Sequence, residues 1–364
     1  MNVTSLPNIL DFDAEGLKAE FVKLGIQKYR AAQVMDWIYQ KGVYDFAGMS
    51  NLPQELRTKL AALFRIGMGS VKCRSKSEGD ESIKLLLEMP DTNVVEAVFI
   101  PKEHRRTVCI SSQVGCKFHC AFCASGQAGF FRNLSSAEIL AQVLRARDES
   151  KSGRVTNIVF MGIGEPLDNF DNVLKAVKAM NRPEFLNIGA RKITISTCGV
   201  VPKIKALADL GMQIELAISL HGANDHVRGK LMPVNRRYGV AELLAACAEF
   251  TQKTNREVTF EYMLADGLNA SPEDARELVA VLRGHGVRCK VNLIPLNPIP
   301  EFPYKRPSNN KIVAFQNVLL ESGIPTTVRY SSGTDINAAC GQLRSVEMRK
   351  AGAPLKGERI DDHA

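Results

Sequence analysis

The chain has 364 residues, of which 45% are hydrophobic and 24% charged, and it carries a net charge of +8. That balance is ordinary for a soluble globular protein, and the length suits one large domain with one or two small additions. No stretch approaches the ~20 apolar residues needed to cross a membrane, and the acidic, mixed N-terminus is not a signal peptide. The positive charge fits a polyanionic partner as readily as a mildly basic protein without one. The nine cysteines are odd in number and unevenly spaced. They make a poor disulfide framework, so a reducing cytoplasm is expected.

Residues 1 to about 70 read as a small helical module. Helices are expected from Asp13, from Arg30 with Val34, Trp37 and Ile38 on one face, and after Leu52 with Pro53 in the first turn. Trp37 belongs to that apolar face. From 71 to 101 the rhythm changes. Ile83–Met89 and Val94–Ile100 flank Pro90-Asp-Thr-Asn, which reads as a β-hairpin extension.

From 102 to 345 β-branched runs recur, at Thr107-Val-Cys-Ile, Asn157-Ile-Val-Phe-Met, Lys192-Ile-Thr-Ile, Ile214-Glu-Leu-Ala-Ile, Val258-Thr-Phe-Glu-Tyr, Lys290-Val-Asn-Leu-Ile and Thr326-Thr-Val-Arg-Tyr. Helical patterns lie between most of them, which implies parallel βα units. Six or so units suit a full or partial barrel. The expected class is therefore α/β, with a partial (βα)6 barrel as the core. Residues 346–364 read as a polar, loosely ordered tail.

The polar residues fall at strand ends: Glu165 in Gly162-Ile-Gly-Glu-Pro, Ser196 in Ser-Thr-Cys-Gly, Ser219 and His221 in Ser-Leu-His-Gly, and Asn297 in Pro-Leu-Asn-Pro. In βα barrels the loops after the strand C-termini build the active site. The loop after the first core strand reads Gly115-Cys116-Lys-Phe-His-Cys120-Ala-Phe-Cys123. A structural zinc site normally closes with four ligands, and Cys109, on a strand, is an awkward fourth. Three cysteines on a four-iron cluster leave one iron open, and that iron can take the amino and carboxylate groups of S-adenosylmethionine. Lys117 and His119 inside the loop are not expected to be ligands.

This C-x3-C-x-aromatic-C pattern, with Phe122 before the last cysteine, resembles the radical S-adenosylmethionine superfamily. Gly164-Glu165 is similar to its motif that contacts the methionine amino group. Four stretches resemble more narrowly the dual-specificity RNA adenine-C2 methyltransferases: the cysteine loop, Met161-Gly-Ile-Gly-Glu-Pro-Leu-Asp-Asn, Ser219-Leu-His, and Asp335-Ile-Asn-Ala-Ala-Cys-Gly-Gln-Leu. That family more often has Met where this chain has Ile163, a volume-conserving change.

The resemblance implies a set of roles. Cys116, Cys120 and Cys123 hold a [4Fe-4S] cluster. Gly164, Glu165, Ser196, Ser219, Leu220, His221 and Asn297 contact S-adenosylmethionine, two molecules of which are consumed per methylation. Cys340 is methylated first; a 5′-deoxyadenosyl radical then takes a hydrogen from that methyl, and the carbon adds to adenine C2. Glu96 takes the C2 proton, and Cys109 frees the product through a disulfide with Cys340. Read alone, Cys109 is equally a small buried strand residue, Cys340 a helix-start core residue, and Glu96 the solvent side of an alternating strand.

The implied partners are 23S ribosomal RNA and tRNA, with a low-potential donor such as flavodoxin or ferredoxin and no membrane; a monomer is expected. Phosphate contacts are sought at His104-Arg-Arg, Lys117, Arg132 and Arg236-Arg-Tyr, with the target base flipped into the barrel mouth. Cys73, Cys198, Cys247 and Cys289 are expected to pack. The rival readings are a C8-specific ribosomal methyltransferase, a zinc-stabilised RNA-binding protein without catalysis, and a radical enzyme acting on a peptide. The last lacks the expected extra cysteine-rich domain.

Overall fold

The computed structural model describes residues 6–300 and 302–343. The expected tail at 346–364 lies outside the described residues. Three helices open the chain: α1 (Ala14–Lys23), α2 (Tyr29–Tyr39) and α3 (Gln54–Leu63). An antiparallel extension follows, with β1 (Ser70–Lys76), β2 (Ile83–Glu88) and β3 (Val94–Lys102). The hairpin of β2 and β3 matches the sequence reading. The strand β1 was not expected: Ser-Val-Lys-Cys-Arg-Ser-Lys is almost wholly exposed and shows no alternation to read.

The core begins at β4 (Arg105–Cys109), antiparallel to β3. A small separate ribbon, β5 (Gln113–Gly115) and β6 (Phe130–Asn133), brackets the short helix α4 (Ala124–Gln127). Then come α5 (Ser136–Asp148), β7 (Asn157–Phe160), α6 (Phe170–Asn181), β8 (Ile193–Thr197), α7 (Val201–Asp209), β9 (Glu215–Ser219), α8 (Asp225–Leu231) and α9 (Val240–Thr254). The chain continues through β10 (Val258–Leu264), α10 (Pro272–Gly284), β11 (Cys289–Pro295), α11 (Asn309–Glu321) and β12 (Thr326–Val328). Capping boxes at Ser135/Glu138 and Ser271/Asp274 set where α5 and α10 begin.

One ten-stranded sheet runs β1-β2-β3-β4-β7-β8-β9-β10-β11-β12. From β4 to β12 all neighbours are parallel. Thr107 on β4 and Lys290 on β11 line the same cavity, so the sheet curls around a lumen. The result is an α/β partial barrel of (βα)6 type with a mixed sheet. All seven parallel strands fall on the β-branched runs, because strands buried on both faces read as continuous apolar segments.

The helical segment is not loosely attached. Its residues Leu17, Phe21, Val34 and Ile38 share one contiguous apolar core with Leu140, Val143 and Phe185 of the barrel layer. Arg147 on α5 is the polar tie. Its guanidinium donates to the carbonyls of Tyr39 and Ile38 and to the Tyr44 hydroxyl. Trp37 lies half-buried against this core. Replacing Arg147 by Ala strands buried carbonyls and should lower stability by about 3 kcal/mol. A shift of the urea unfolding midpoint measures this, and an unchanged midpoint would contradict it.

Candidate active site

The cysteine loop is built to be tight. Gly115 has φ of +76°, and a Cβ there would lie 1.9 Å from the Gly129 carbonyl oxygen, so only glycine closes the β5–β6 ribbon. The Cys116 amide donates to that same carbonyl at 2.8 Å, and the Ala121 amide donates to Leu231 O at 2.9 Å. His119 bonds Gly126 O through Nδ1 at 3.0 Å, which makes it a brace inside the loop. Around the loop lies an apolar cage that includes Phe118, Met232, Met263 and Leu296. Burial pushes the Cys116 and Cys120 thiols up, and their neighbouring cysteines add to the effect. Such thiols ionise when a cationic centre compensates them.

Cys116, Cys120 and Cys123 line one cavity of about 160 Å³, together with Gly164, Glu165, Ser196, Ser219, His221 and Asn297. Six of the seven cofactor residues that the resemblance implies therefore share a wall with the three cysteines. Leu220 is the exception. Its side chain is fully buried in the main core, and its amide donates to Glu261 O. Its carbonyl accepts the Gly222 amide, and it does not line the cavity.

The strand-end residues are held firmly. Gly164 has φ of +98°, and a Cβ would meet Gln113 Cβ at 2.5 Å. The Glu165 carboxylate accepts from the amides of Leu167 (2.9 Å) and Cys198 (2.7 Å), and burial raises its pKa. His221, at φ of 58°, accepts the Met263 amide on Nδ1 at 2.9 Å, so the neutral ring carries its proton on Nε2. Phe122 packs edge-on against it at 4.7 Å.

A second cavity, of about 530 Å³, occupies the other half of the lumen. Thr107, Asn157, Thr194, Glu215, Thr259 and Lys290 line it, all near the amino-terminal ends of their strands. Cys109 lines this chamber only; Met161, Glu261 and Cys340 line both. Cys340 is carried by a segment pinned across the barrel. Gly341 O accepts the Ala124 amide at 2.8 Å, and Leu343 O accepts the Ser125 hydroxyl at 2.8 Å. Asn297 Nδ2 donates to Cys340 O at 3.1 Å. Ala338 and Leu343 pack with Cys109.

Glu96 departs from the solvent-facing alternative: it is 1% exposed. On β3 it lies two residues from Val98, the cross-strand partner of Cys109, so both face the same side of the sheet. Its Oε1 lies 3.4 Å from Lys84 Nζ, which also donates to Asn337 O at 3.3 Å. It lines neither chamber.

Residues missed in the sequence also converge here. Arg329 ion-pairs with Glu261 at 3.7 Å; burial pushes the Cys109 and Cys340 thiols up, and the Arg329 guanidinium opposes part of that rise. The available signal was a charge inside each of two apolar strand runs. Of the expected phosphate contacts, Arg105 lines the larger chamber. Lys117 pairs with Asp168, and Arg132 with Asp91 and Glu138, so both serve local structure. Cys198 and Cys247 are buried and Cys289 half-buried, as expected of packing residues, but Cys73 is exposed on β1.

This geometry has counterparts among known proteins. Residues 7–66 match the ribosomal RNA large subunit methyltransferase N-terminal domain, and residues 110–296 match the radical SAM superfamily. A probable dual-specificity RNA methyltransferase RlmN from Clostridium tetani is 48% identical over 93% of this chain and 95% of its own length. This chain belongs to the RlmN family of radical SAM methyltransferases. A second RlmN relative, from Clostridium novyi, is 46% identical over 94% of this chain and 99% of its own. The crystal structure of a radical SAM methyltransferase from Sphaerobacter thermophilus superposes with a TM-score of 0.90, at 44% identity over 93% of this chain and 99% of that one.

Membership implies a [4Fe-4S] cluster and S-adenosylmethionine, and the residues present fit both. Among the described residues no three His, Cys, Asp or Glu side chains are arranged to chelate a single metal ion. The three thiols instead ring one cavity, and a cluster needs one thiolate on each of three irons rather than three on one. Replacing Cys116 by Ala should abolish bound iron and the brown absorbance after anaerobic reconstitution while leaving the circular dichroism unchanged; full iron loading would refute the assignment.

Burial, with Arg228 nearby, holds the His221 pKa at about 3, below the usual 6.5. The unfolded chain therefore takes up this proton first. The stability tied to the neutral ring is complete above about 6.5 and is lost as pH falls towards about 3. Urea titrations of a His221→Asn variant should show a shallower acid decline than the wild type.

Proposed function

We propose that this chain methylates C2 of adenosine in 23S ribosomal RNA at the peptidyl-transferase centre, and in tRNA beside the anticodon, with Cys340 carrying the carbon. The strongest support is that Cys340 lines both chambers, with the three loop cysteines on one side and Cys109 on the other. Adenine C2 is electron-poor and has no lone pair, so it cannot attack a sulfonium methyl as an amine does. When bound, the cluster and S-adenosylmethionine supply a methyl group and the reductive cleavage of a sulfonium to a carbon radical.

The chain's own groups do the rest. The apolar cage excludes water from the cysteine loop, and Glu165, Ser196, Ser219, His221 and Asn297 offer polar contacts for S-adenosylmethionine along one wall. Burial raises the Cys340 pKa while Arg329 favours its thiolate, the form that accepts a methyl group. Asn297 holds the backbone of Cys340 in place. The family resemblance gives the C2 proton to Glu96, which lies buried beside Lys84 and lines neither chamber. Burial and the neighbouring Cys340 push the Cys109 thiol up to about 12, so it attacks the Cys340 sulfur only after losing its proton; the Cys340 S–CH2 bond breaks, and its electron pair goes to the carbon on C2, which takes a proton to become the methyl group as the disulfide forms.

The helical segment at 7–66 contributes RNA contacts. A low-potential flavodoxin or ferredoxin supplies electrons, and the protein works as a cytoplasmic monomer. Among the described residues no helix is long and apolar enough to cross a membrane.

Mass spectrometry of nucleosides from treated RNA tests the reading. The wild type should yield 2-methyladenosine, and Cys340→Ala none. Cys109→Ala should leave RNA covalently attached to Cys340. Formation of 8-methyladenosine alone would replace the C2 assignment with the C8 alternative. Free RNA alone from Cys109→Ala, with Cys340 methylated, would remove Cys109 from the mechanism.

A further inference from the structure

Arg228 on α8 is completely buried and forms no ion pair among the described residues. Its guanidinium donates to neutral oxygens: Nη2 to Cys198 O at 2.6 Å, and Nη1 to Asn235 Oδ1 at 2.8 Å and Tyr238 O at 3.3 Å. Nε has no hydrogen-bond partner among the described residues. The fold makes room for this cation. Gly199, after β8, has φ of +105°, and a Cβ there would lie 3.1 Å from Arg228 Nη2. A Cβ on Gly222, after β9, would lie 2.6 Å from the Arg228 amide nitrogen. The glycines of Ser196-Thr-Cys-Gly and Ser219-Leu-His-Gly therefore seat one arginine.

A charge taken out of water is costly unless an opposite charge compensates it. The carboxylate that acts on Arg228 is Asp225, which is exposed, and its Oδ1 already accepts from Asn235 Nδ2 at 3.0 Å and the Val240 amide at 2.7 Å. Burial pushes the guanidinium pKa down, and the groups that pull it back are otherwise thiols: Cys198, Cys120 and Cys247. Cys120 is one of the three loop cysteines, and Cys198 lines their cavity. α8 is also joined to the loop itself, because Leu231 O accepts the Ala121 amide. A four-iron cluster on three thiolates is anionic, and one added electron makes it more so. Across an apolar, water-poor wall such a charge and a guanidinium attract strongly.

We propose that Arg228 is the fixed counter-charge of the iron–sulfur cluster, a positioning residue whose guanidinium favours the reduced state. The electron comes from the low-potential donor, and Arg228 stays protonated throughout. The inference rests on the cluster being held by Cys116, Cys120 and Cys123; it does not depend on which base is methylated.

Anaerobic redox titration of the iron-loaded full chain, followed by the paramagnetic resonance signal of the reduced cluster, tests this without RNA. The decisive variant moves a charge and leaves the arginine in place. Asn235→Asp with Asp225→Asn keeps the net charge, keeps acceptors for Arg228 Nη1 and the Val240 amide, and sets a carboxylate against the guanidinium. Uptake of one electron should become about tenfold less favourable, a midpoint lower by about 59 mV. Arg228→Gln should move the midpoint the same way, and Arg228→Lys, which keeps the charge without the planar fork, should stay near the wild type. In the iron-free chain the double variant should raise the urea midpoint, since the buried cation gains a partner. An iron-loaded double variant with the wild-type potential, or an iron-free one less stable than the wild type, overturns the proposal and leaves the methyltransferase reading intact. A wild type that holds no iron overturns the cluster assignment as well.

Discussion

The backbone of residues 338–343 crosses the inside of the barrel, and the position of the Cys340 sulfur depends on how that crossing is held. On one side Gly341 O and Leu343 O accept hydrogen bonds from Ala124 and Ser125, directly after the last loop cysteine. On another, Asn297 at the end of β11 grips Cys340 O. From the extension, Asp80 accepts the Gly333 amide, Asp335 accepts the Glu78 amide, and Lys84 donates to Asn337 O. Three separate parts of the fold thus fix one short segment. Each bond satisfies a backbone group, so the segment cannot shift without loss at several points.

That constraint explains the antiparallel extension. Its strands prolong the barrel sheet through β3 and β4, and its β1–β2 loop reaches back to the Cys340 segment. The glycines at 333 and 341, with φ of 64° and 83°, let the segment make its turns.

The two halves of the lumen differ in chemistry. Around the cysteine loop the wall is apolar, with Phe118, Met232, Met263 and Leu296. A dry, low-dielectric shell tunes a cluster's potential and keeps water from reactive species. Arg228, fully buried behind that wall, is fixed by Cys198 O and Asn235 rather than by a carboxylate. The other half is lined with amides, hydroxyls and charges, which suit a hydrogen-bonding base. Cys340 and Cys109 lie where a cation, Arg329, can act on both sulfurs.

The sequence by itself determined the α/β class, the seven parallel strands and the loop that carries the three cysteines. Those features are local: β-branched runs mark buried strands, and the cysteine spacing lies within eight residues. It also located most strand-end polar groups, because strand direction alone puts them on one rim. It did not show β1, whose residues are exposed and lack a period. It left Glu96 open between solvent and interior, since burial there depends on a neighbouring strand and on Lys84. Only the tertiary structure revealed that the lumen has two chambers, that Leu220 turns into the core, and that Arg329 and Tyr330 stand beside Cys340's chamber. These depend on how far the sheet curls and on where a segment more than two hundred residues after the cysteine loop comes to rest. Long-range packing sets both, and no local pattern in the chain records it.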